Sequence, residues 1–462
     1  MTDPSEIPAV VAALRAGARA GVVRSVEQRR AQLQGLRRLL VDGEDTLLAA
    51  LHADLGKSAT EAYATEIGFT LGELDHALAH LDAWMAPEKV RVPLHLRPAR
   101  ARIVREPLGT VAIIGPWNYP VQLVLAPLVA ALAAGNTAVL KPSELAPASS
   151  AALAELVGRH LDAAAVRVVT GGVPETTALL AEPFDHLLYT GNGRVARIVA
   201  RAAAEHLTPL TLELGGKSPT VVTADADVEV AARRIAWGKF LNAGQTCIAP
   251  DYVLVERRVQ APLLDALGRA VTRFYGADPA ASADYGRIVN AHHHDRLTGL
   301  LASGGFEATV VGGEADRDTR YLAPTVLSGV DPDAAVMQEE IFGPILPVLA
   351  VDDVDAAIDF IAARAHPLAL YVFSGDSATA ERIIAATSSG GVAVNTTMLH
   401  LAVAELPFGG VGPSGTGAYH GETGFLRFTH RRSVLDKGVR PDPPVLYPPY
   451  GRWKQRLLRA LL

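Results

Sequence analysis

A thiol stands in the stretch N-A-G-Q-T-C-I-A-P, residues 242–250, which contains Cys247, the only cysteine in a chain of 462 residues. A lone free cysteine is usually a small buried apolar side chain. A thiolate nucleophile, however, needs backbone room on its approach side, and Gly244 close to the β-branched Thr246 provides that room. Both interpretations stay open on this stretch alone, so the residues around Cys247 must decide between them.

A carboxylate lies at the end of a predicted strand in L-T-L-E-L-G-G, where Glu213 precedes Gly215 and Gly216. A general base belongs in such a place, because apolar surroundings can raise its pKa toward neutrality. The alternative is a carboxylate that caps a turn or a helix. If this strand end lies near Cys247, the two residues provide a nucleophile and a base.

An amide follows another buried strand, in I-G-P-W-N-Y-P at residues 114–120. The NH₂ group of Asn118, held in this turn, could donate a hydrogen bond to a developing oxyanion, and losing such a donor typically costs ~10²–10³ in rate. An asparagine that only closes the turn is the commoner case.

Three further stretches offer anchors for a nucleotide. In K-P-S-E, Lys141 and Glu144 could hold ribose hydroxyls, although an exposed ion pair is the alternative. In Y-T-G-N-G-R-V-A, residues 189–196, a strand passes into a helix and leaves free N–H groups for a phosphate. In E-E-I-F-G-P, Glu340 and Phe342 precede a turn and could hold a second ribose and a flat ring, where a core phenylalanine is otherwise expected.

The elements that must position these residues are typical of an α/β protein. Apolar residues at helical spacing predict several amphipathic helices within residues 6–85. After Pro87, V-R-V-P-L-H-L and A-R-I-V-R-E predict a β-hairpin that leaves the main body. From Gly109 onward, T-V-A-I-I-G, T-A-V-L-K, V-R-V-V-T-G, H-L-L-Y-T-G and L-T-L-E-L-G-G alternate with helical patterns and predict a doubly wound parallel sheet. A second α/β unit is predicted from about Lys217 to Val411, with strands such as S-P-T-V-V-T, Y-V-L-V-E-R, I-L-P-V-L-A-V, A-L-Y-V-F-S and G-G-V-A-V-N.

Composition excludes several other classes of protein. The net charge of −6 is spread along the chain, so no basic stripe indicates nucleic-acid binding. One cysteine allows no internal disulfide, and the acidic N-terminus lacks the features of a signal peptide, so we expect a cytoplasmic protein. The longest apolar run, 123–134, is too short for the ~20 residues that span a bilayer, and it predicts a buried helix.

The last segment, G-R-W-K-Q-R-L-L-R-A-L-L, interleaves basic and apolar side chains and predicts a short amphipathic helix. The basic residues are Arg452, Lys454, Arg456 and Arg459, and they interleave with the apolar residues Trp453, Leu457, Leu458, Leu461 and Leu462. Packing on its own subunit or a partner is the first interpretation, and peripheral contact with a membrane is the second.

Six motifs follow one another in an order that resembles the aldehyde dehydrogenase superfamily. They are E-P-L-G-T-V-A-I-I-G-P-W-N-Y-P, K-P-S-E, L-E-L-G-G-K-S-P, N-A-G-Q-T-C-I-A-P, E-E-I-F-G-P and L-P-F-G-G-V-G-P-S-G, and the match extends over nearly the whole chain. The I-A-P-D-Y after the cysteine, with S-G-T-G-A-Y-H-G and H-R-R-S near the end, is most similar to the class 3 branch, which includes fatty-aldehyde and coniferyl-aldehyde enzymes.

This resemblance implies an α/β fold of the aldehyde dehydrogenase type and a homodimer. It would comprise a Rossmann-type NAD(P)-binding domain of residues 1–86 and 107–213, an α/β catalytic domain of 214–412, a small β oligomerisation arm of 87–106 and 425–440, and the basic amphipathic tail 441–462. The resemblance also implies that Cys247 is the nucleophile, Glu213 the base, and Asn118 with the Cys247 N–H the oxyanion hole. The implied contacts of NAD or NADP are Lys141, Glu144, Pro116, Trp117, Gly191, Asn192, Leu214, Gly215, Glu340 and Phe342. No metal is required.

The implied reaction is oxidation of an aldehyde to a carboxylic acid through a thiohemiacetal and a thioester that water hydrolyses. Tyr119, Leu241, Thr246 and the region of His400 are candidates for lining the substrate tunnel of a medium- or long-chain aliphatic or aromatic aldehyde. Two alternatives remain. A CoA-acylating enzyme would generally lack the base at Glu213, and a catalytically silent relative would have lost one of the three reacting groups.

One turn departs from the pattern of the family. T-G-N-G-R-V-A has Asn192 in place of a serine and Ala196 in place of a glycine. Asparagine is a good N-cap, so we expect the helix to begin there all the same. Arg194 could favour an additional phosphate whereas Glu144 would repel one, which leaves the choice between NAD and NADP open.

Overall fold

The computed structural model of the chain describes residues 1–461, except for the side chain of Leu461. Helices α1 to α17 are, in chain order, Ile7–Ala20, Val26–Asp42, Glu44–Leu55, Ala59–Ala62, Gly68–Met85, Gln122–Ala134, Pro147–His160, Val173–Leu180, Gly193–Glu205, Val228–Phe240, Gln260–Tyr275, Ala291–Ala302, Ala335–Gln338, Val354–Ala362, Ser377–Ala386, Gly421–Arg427 and Arg452–Leu461. Strands β1 to β18 are Glu88–Val90, Ala99–Pro107, Thr110–Ile114, Thr137–Lys141, Val166–Val168, His186–Thr190, Leu210–Glu213, Pro219–Val222, Tyr252–Glu256, Ala308–Val311, Ala315–Asp316, Tyr321–Leu322, Thr325–Ser328, Ile345–Val351, Ala369–Phe373, Gly391–Val394, Gly415–Thr416 and Thr429–Lys437.

The N-terminal region is helical, as its apolar periodicity predicts. Helices α1 to α5 occupy it, and a π-helical turn at Tyr63–Ile67 separates α4 from α5. Helix α2 begins with a capping box in which Ser25 and Gln28 each bind the other's backbone N–H. These helices bury leucines against α6, the predicted buried helix, whose residues are all buried.

The first large sheet has the strand order β17-β7-β6-β3-β4-β5, and all its pairs are parallel except β17 with β7. Strands β3 to β7 are the five that the sequence predicts here. The chain runs outward from β3 through β4 to β5 and then returns to β6 beside β3, so the strand order reverses between β3 and β6. In open α/β sheets ligands bind in the crevice at the carboxyl ends of the strands at such a point.

The second large sheet has the order β10-β13-β14-β9-β8-β15-β16 and is parallel except for the edge strand β10. It contains the five strands predicted in the second α/β unit, β8, β9, β14, β15 and β16, and adds β10 and β13. Its strands read as continuous apolar runs because helices such as α10 and α11 cover them.

The third sheet, β1-β2-β18, contains the predicted hairpin. The strand predicted at V-R-V-P-L-H-L, residues 90–96, is wrong beyond its first residue, because β1 covers Glu88–Val90 and a 3₁₀ turn follows at Leu94–Leu96. Pro93 lies in this segment and cannot donate a ladder hydrogen bond, which is the physical reason for the difference. Strand β18 pairs with β2 along all nine residues of each, so the third sheet joins distant parts of the chain. Leu435 of β18 is 57% exposed, and Leu94, in the 3₁₀ turn, is 81% exposed.

The C-terminal segment forms the predicted helix, α17, over Arg452–Leu461. The Lys454 ammonium donates to the Tyr447 carbonyl at 2.8 Å, while Trp453 and Leu457 stay exposed. Leu462 and the Leu461 side chain, which belong to the same predicted pattern, lie outside the described residues. Within residues 1–461, no helix has both the length and the apolar character needed to cross a membrane.

Candidate active site

Cys247 lies on a loop between α10 and β9, after a backbone of unusual shape. Asn242, Ala243 and Gly244 have φ values of 53°, 51° and 73°, so three successive residues are left-handed. A Cβ at Gly244 would clash with the backbone carbonyl of Gly343, which means that only glycine fits. This backbone costs free energy and persists only where its surroundings fix it.

Gln245 fixes that loop from inside the protein. Its side chain is fully buried and donates to the carbonyl oxygens of Asn242 at 2.9 Å and Arg287 at 3.0 Å. Its side-chain oxygen accepts from the N–H of Val289 at 2.9 Å. Three hydrogen bonds therefore hold the backbone two residues before Cys247.

Asn118 and its turn contact the same loop. The Asn118 side chain is 2% exposed and donates to the Gln245 carbonyl at 2.9 Å, and the Asn242 side chain donates to the Asn118 carbonyl at 2.8 Å. The Tyr119 hydroxyl lies 2.7 Å from that of Thr246. The structure thus brings together the amide and the thiol loop that the sequence singles out, and one hydrogen of the Asn118 amide remains for another acceptor.

The thiol of Cys247 is in surroundings that disfavour its charge. Burial raises the pKa of the thiol above its ordinary value, and the charges of Glu340 and Glu213 raise it further. The backbone N–H groups of Cys247 and Ile248 act in the opposite direction on this pKa, because they favour a thiolate. Both carboxylates therefore raise the pKa of the same thiol.

Glu213 ends β7, as predicted, and is 2% exposed. Within residues 1–461, neither of its carboxylate oxygens has a hydrogen-bond partner. Burial raises its pKa well above the ordinary range, and the charge of Arg427 opposes this only in part. A carboxylate with free oxygens and a raised pKa can take a proton from water near neutral pH.

Lys141 and Glu144 lie at the carboxyl end of β4. Lys141 is 2% exposed, whereas the Glu144 side chain is 47% exposed and lies 3.5 Å from the Lys141 ammonium. The ammonium also donates to the Pro142 carbonyl at 2.8 Å, and burial lowers its pKa. Lys141 is therefore buried and fixed by a hydrogen bond, while the Glu144 carboxylate is exposed, which differs from an ordinary ion pair with both side chains at the surface.

The turn after β6 begins α9 at the point where the strand order reverses. The Asn192 side chain accepts from the Val195 N–H at 3.0 Å, so the expected N-cap is confirmed. A Cβ at Gly191 would clash with the Tyr189 hydroxyl, so a larger residue there would displace that ring. The N-terminus of α9 is thus free to face an anion.

Glu340 reaches across from the second sheet to the backbone at the end of β7. A Cβ at Gly215 would clash with the Glu340 carboxylate, so the carboxylate occupies the space that the missing side chain leaves. Burial raises the pKa of Glu340 to about 8, with a further contribution from the charge of Asp251. A cavity of about 450 Å³ opens beside this contact and is lined by residues that include Gly215, Lys217, Glu340, Arg364 and His366.

Aromatic side chains line the same region. The Trp117 ring lies edge-on to Phe342 at 5.2 Å and 5.0 Å from the ring of His293. Pro116 precedes Trp117 in the turn after β3, and the Leu214 N–H donates to the Ser414 carbonyl at 3.1 Å. The Trp117 ring thus lies against that of Phe342, which is two residues along the chain from Glu340, whose carboxylate lines the cavity.

Sequence reasoning missed the residues behind the site. Lys57 and Glu66 form a buried ion pair that contacts the Asn118 turn. Glu61 accepts from the Asn242 N–H at 2.9 Å, and burial raises its pKa to about 7. All three come from the helical N-terminal region, where a charged residue on an amphipathic pattern indicates only an exposed face.

Known proteins with similar sequences support the same assignment. Aldehyde dehydrogenase family 3 member A2 of Mus musculus is 50% identical over 443 residues, 96% of this chain and 91% of that protein. The 4,4'-diaponeurosporen-aldehyde dehydrogenase of Staphylococcus aureus (strain NCTC 8325 / PS 47) is 48% identical, covering 93% of this chain and 94% of that one. The dimeric NADP-preferring aldehyde dehydrogenase of Canis lupus familiaris is 46% identical, covering 96% and 98%.

A solved structure of Staphylococcus aureus AldH in a substrate-bound state superposes with a TM-score of 0.96 at 46% identity, covering 100% of this chain and 99% of that one. The predicted fold class is therefore confirmed. The sequence model of the aldehyde dehydrogenase family matches residues 1–434. Motifs, fold and relatives agree, and the chain belongs to the aldehyde dehydrogenase family.

Proposed function

We propose that Cys247, Glu213 and Asn118 carry out the aldehyde oxidation of this NAD(P)-dependent enzyme. The observation that supports the proposal most strongly is their convergence. The Asn118 amide binds the backbone of the Cys247 loop, and the charge of Glu213 acts on the Cys247 thiol. These two observations support a site in which Cys247 is the nucleophile, Glu213 the base and Asn118 the oxyanion donor.

In the first step the Cys247 thiol gives its proton to solvent water, and the thiolate sulfur bonds to the carbonyl carbon of the aldehyde. The C=O π electrons move to the oxygen, which becomes an oxyanion. The free hydrogen of the Asn118 amide and the Cys247 N–H donate to it. Two such donors in a buried site stabilise the transition state more than they would in water.

When bound, NAD or NADP supplies the acceptor for the hydride that leaves the carbonyl carbon. The oxyanion then collapses to a thioester on Cys247. Glu213 removes a proton from a water molecule whose oxygen attacks the thioester carbon. The C–S bond breaks, the carboxylic acid leaves, and the thiolate is restored.

The residues around the cleft fit this cofactor. Lys141 and Glu144 are proposed to hold the adenosine ribose, and the turn at Gly191 and Asn192 the pyrophosphate. Glu340 is proposed to hold the nicotinamide ribose, since one of its buried oxygens has no partner within residues 1–461. The remaining contacts are proposed to be Pro116, Trp117, Leu214, Gly215 and Phe342.

We propose a medium- or long-chain aliphatic or aromatic aldehyde as substrate. Cys247 packs against the large apolar core together with Leu241 and Leu401. His400 has two buried ring nitrogens without partners among the described residues, and burial lowers its pKa to about 4, so it is uncharged near neutral pH. The Staphylococcus aureus relative is named for the aldehyde of 4,4'-diaponeurosporen.

Hydrolysis is proposed over transfer to coenzyme A because Glu213 is present and, among the described residues, unpaired. A catalytically silent relative is not favoured either, since Cys247, Glu213 and Asn118 are all retained. The domain boundaries are also part of the proposal. They are 1–86 and 107–213 for the cofactor domain, 214–412 for the catalytic domain, 87–106 and 425–440 for the arm, and 441–462 for the tail.

The proposed assembly is a homodimer in the cytoplasm. The exposed Leu435 on the third sheet and the exposed Leu94 in the 3₁₀ turn between β1 and β2 support a subunit contact there, and the Canis lupus familiaris relative is named as dimeric. The tail is proposed to pack on a subunit, with membrane contact as the second candidate because Trp453 and Leu457 are exposed. Sedimentation velocity of the full chain, with and without anionic vesicles, distinguishes these outcomes.

The decisive experiment mixes the full chain with NAD⁺ or NADP⁺ and a panel of aldehydes without CoA, and follows reduced-cofactor absorbance. We expect activity that Cys247→Ala abolishes while cofactor binding persists. Activity only after CoA is added would indicate the acylating reaction. Silence with every aldehyde, with and without CoA, would contradict the proposal.

A further inference from the structure

A fully buried ion pair lies behind the turn that carries Asn118. Lys57 and Glu66 are both 0% exposed, and the Lys57 ammonium lies 2.5 Å from a Glu66 carboxylate oxygen. Neighbours of the pair along the chain and in the bound turn, Ala62, Ile67 and Val121, belong to one buried apolar cluster. Desolvation offsets much of the attraction between buried charges, so a buried ion pair is weak evidence for a stabilising role. The role of this pair must therefore be found in its contacts with the rest of the protein.

The pair holds the 118–122 turn on both sides of Pro120. The Lys57 ammonium donates to the Asn118 carbonyl at 3.1 Å and lies 3.9 Å from the centre of the Tyr119 ring. The second Glu66 oxygen accepts from the N–H groups of Val121 at 2.8 Å and Gln122 at 3.0 Å. One ion pair thus binds both a carbonyl and two N–H groups of the same turn.

Glu66 lies within the π-helical turn Tyr63–Ile67. Single π turns are rare in helices and frequently occur at functional sites. The Thr70 hydroxyl donates to the Glu66 carbonyl at 2.6 Å within this irregular segment. The departure from regular helix thus occurs at the residue that binds the turn.

The contacts continue from the pair to the amide. The Asn118 carbonyl accepts from both Lys57 and Asn242, while its side chain donates to Gln245. With the backbone fixed on one side and the side chain on the other, the direction of the free amide hydrogen is fixed as well. A misplacement of about 1 Å in such a group can cost about 10²-fold in rate.

We infer that Lys57 and Glu66 are positioning residues for aldehyde oxidation, which act through Asn118 by holding its turn against the Cys247 loop. This inference rests on the proposed oxyanion role of Asn118. Neither residue is expected to touch the substrate or the cofactor. Removing the pair should therefore lower the rate of aldehyde oxidation only while Asn118 is present.

The test is a double-mutant cycle between the pair and Asn118. In the variant Lys57→Met/Glu66→Gln, the side-chain carbonyl of the new amide can still accept from the turn, and no charge is left buried alone. Rates are normalised to native thiol titration, because Cys247 is the only thiol in the chain. Saturating cofactor is used throughout.

We expect the double variant to lower kcat/KM for the aldehyde about 10–100-fold in the wild-type background. In the Asn118→Ala background the same change should lower it less than about 3-fold, since residues that act as one unit are not additive. The cofactor KM should stay within about 2-fold in both backgrounds. Equal losses in the two backgrounds, or no loss in either, would overturn the inference.

Two further variants separate this role from folding. Glu66→Asp keeps the charge but shortens the reach by one methylene, and we expect a smaller loss with the same dependence on Asn118. Arg29→Met removes another buried charge of the same helical region, one that donates to the Ala133 carbonyl at 2.9 Å and not to the 118–122 turn. Arg29→Met should lower the melting temperature without changing the rate per titrated thiol. A lower rate in this variant would mean that the rate loss in the Lys57 and Glu66 variants comes from general destabilisation.

The cycle also separates the two proposals. If Asn118→Ala leaves kcat/KM unchanged, the oxyanion role itself fails. If Asn118→Ala lowers kcat/KM by about 10²-fold or more while the Lys57 and Glu66 variants do not, the oxyanion role stands and the positioning role alone fails.

Discussion

The two sides of the reaction site differ in how their polar groups are paired. On the Cys247 side, Asn118, Asn242 and Gln245 bind one another and the backbone through bonds of 2.8–3.2 Å. On the carboxylate side, both oxygens of Glu213 and one of Glu340 lack a partner within the described part of the chain. Within the described residues, the Cys247 side leaves one buried acceptor without a partner, the Asn242 side-chain oxygen, whereas the carboxylate side leaves three.

This difference corresponds to two chemical tasks. An oxyanion donor and a nucleophile must keep a fixed geometry, which paired groups provide. A base must gain and lose a proton near neutral pH, which requires a carboxylate that no strong donor keeps ionised. Pairing Glu213 would lower its pKa and weaken it as a base, whereas leaving Asn118 unpaired would let its amide turn away.

The largest expected effect comes from removing the Cys247 thiol, the group that reacts with the aldehyde. Cys247→Ser should lower aldehyde oxidation by at least about 10⁴-fold, because a hydroxyl in this buried site is a far poorer nucleophile than a thiolate. Stopped-flow absorbance of the reduced cofactor measures this. The melting temperature should change little, and substantial activity in this variant would remove the thiol from the mechanism.

Glu213→Gln tests the carboxylate side of the site. We expect steady-state turnover to fall about 10²–10⁴-fold, while a burst of one reduced cofactor per site remains because thioester formation does not need the base. Loss of the burst together with turnover would place Glu213 in the first step instead.

The raised pKa of Glu213 also predicts a pH dependence. The carboxylate form is the active one, so wild-type turnover should rise with pH above the ordinary carboxyl range. Glu213→Gln should lose this ascending limb. An unchanged pH profile would assign the limb to another group.

Gln245→Ala tests the Cys247 side of the site. It leaves buried donors and acceptors of the Cys247 loop unpaired, and each such group costs about 1–3 kcal/mol. We expect a lower melting temperature and a lower rate per folded molecule, with kcat more affected than the cofactor KM. Gln28→Ala, in the exposed capping box of α2, is the control and should affect only stability. A rate equal to wild type would show that the loop keeps its geometry without this side chain.

The smallest expected effect is a change in the pH dependence of folding stability when Glu340 is replaced. Its pKa is raised from 4.5 to about 8, so the folded state keeps a proton that the unfolded chain has released. Stability should therefore fall as pH rises from about 4.5 to about 8. In Glu340→Gln this contribution should be absent, so melting temperatures at pH 6 and pH 9 should converge relative to wild type. Cofactor binding should weaken in the same variant, and retention of the full pH dependence would assign it elsewhere.

Sequence reasoning predicts much of this molecule because many of its features are local. Strand β7 could be predicted from L-T-L-E-L-G-G, and the N-cap at Asn192 from residue type alone. The candidate residues Cys247, Glu213 and Asn118 follow from motif order. Each of these signals lies within a few neighbouring residues.

The remaining features depend on the fold. Lys57 and Glu66 are charged residues in a helical pattern, and only the packed structure shows that both are fully buried. The hydrogen bonds of Gln245 reach Arg287 and Val289, which no periodicity relates to the cysteine motif. Residues 91–96 form no strand despite their alternating pattern, and Pro93, which cannot donate a ladder hydrogen bond, lies among them.

Strand β17 has a consequence for how the enzyme is made. It pairs with β7 at Gly415 and Glu213, so the edge of the first sheet beside the base is covered by a segment about two hundred residues later. During synthesis on the ribosome, the first sheet can form long before that segment emerges. The edge of β7 that ends in the base therefore stays unpaired until the chain has been synthesised past Thr416.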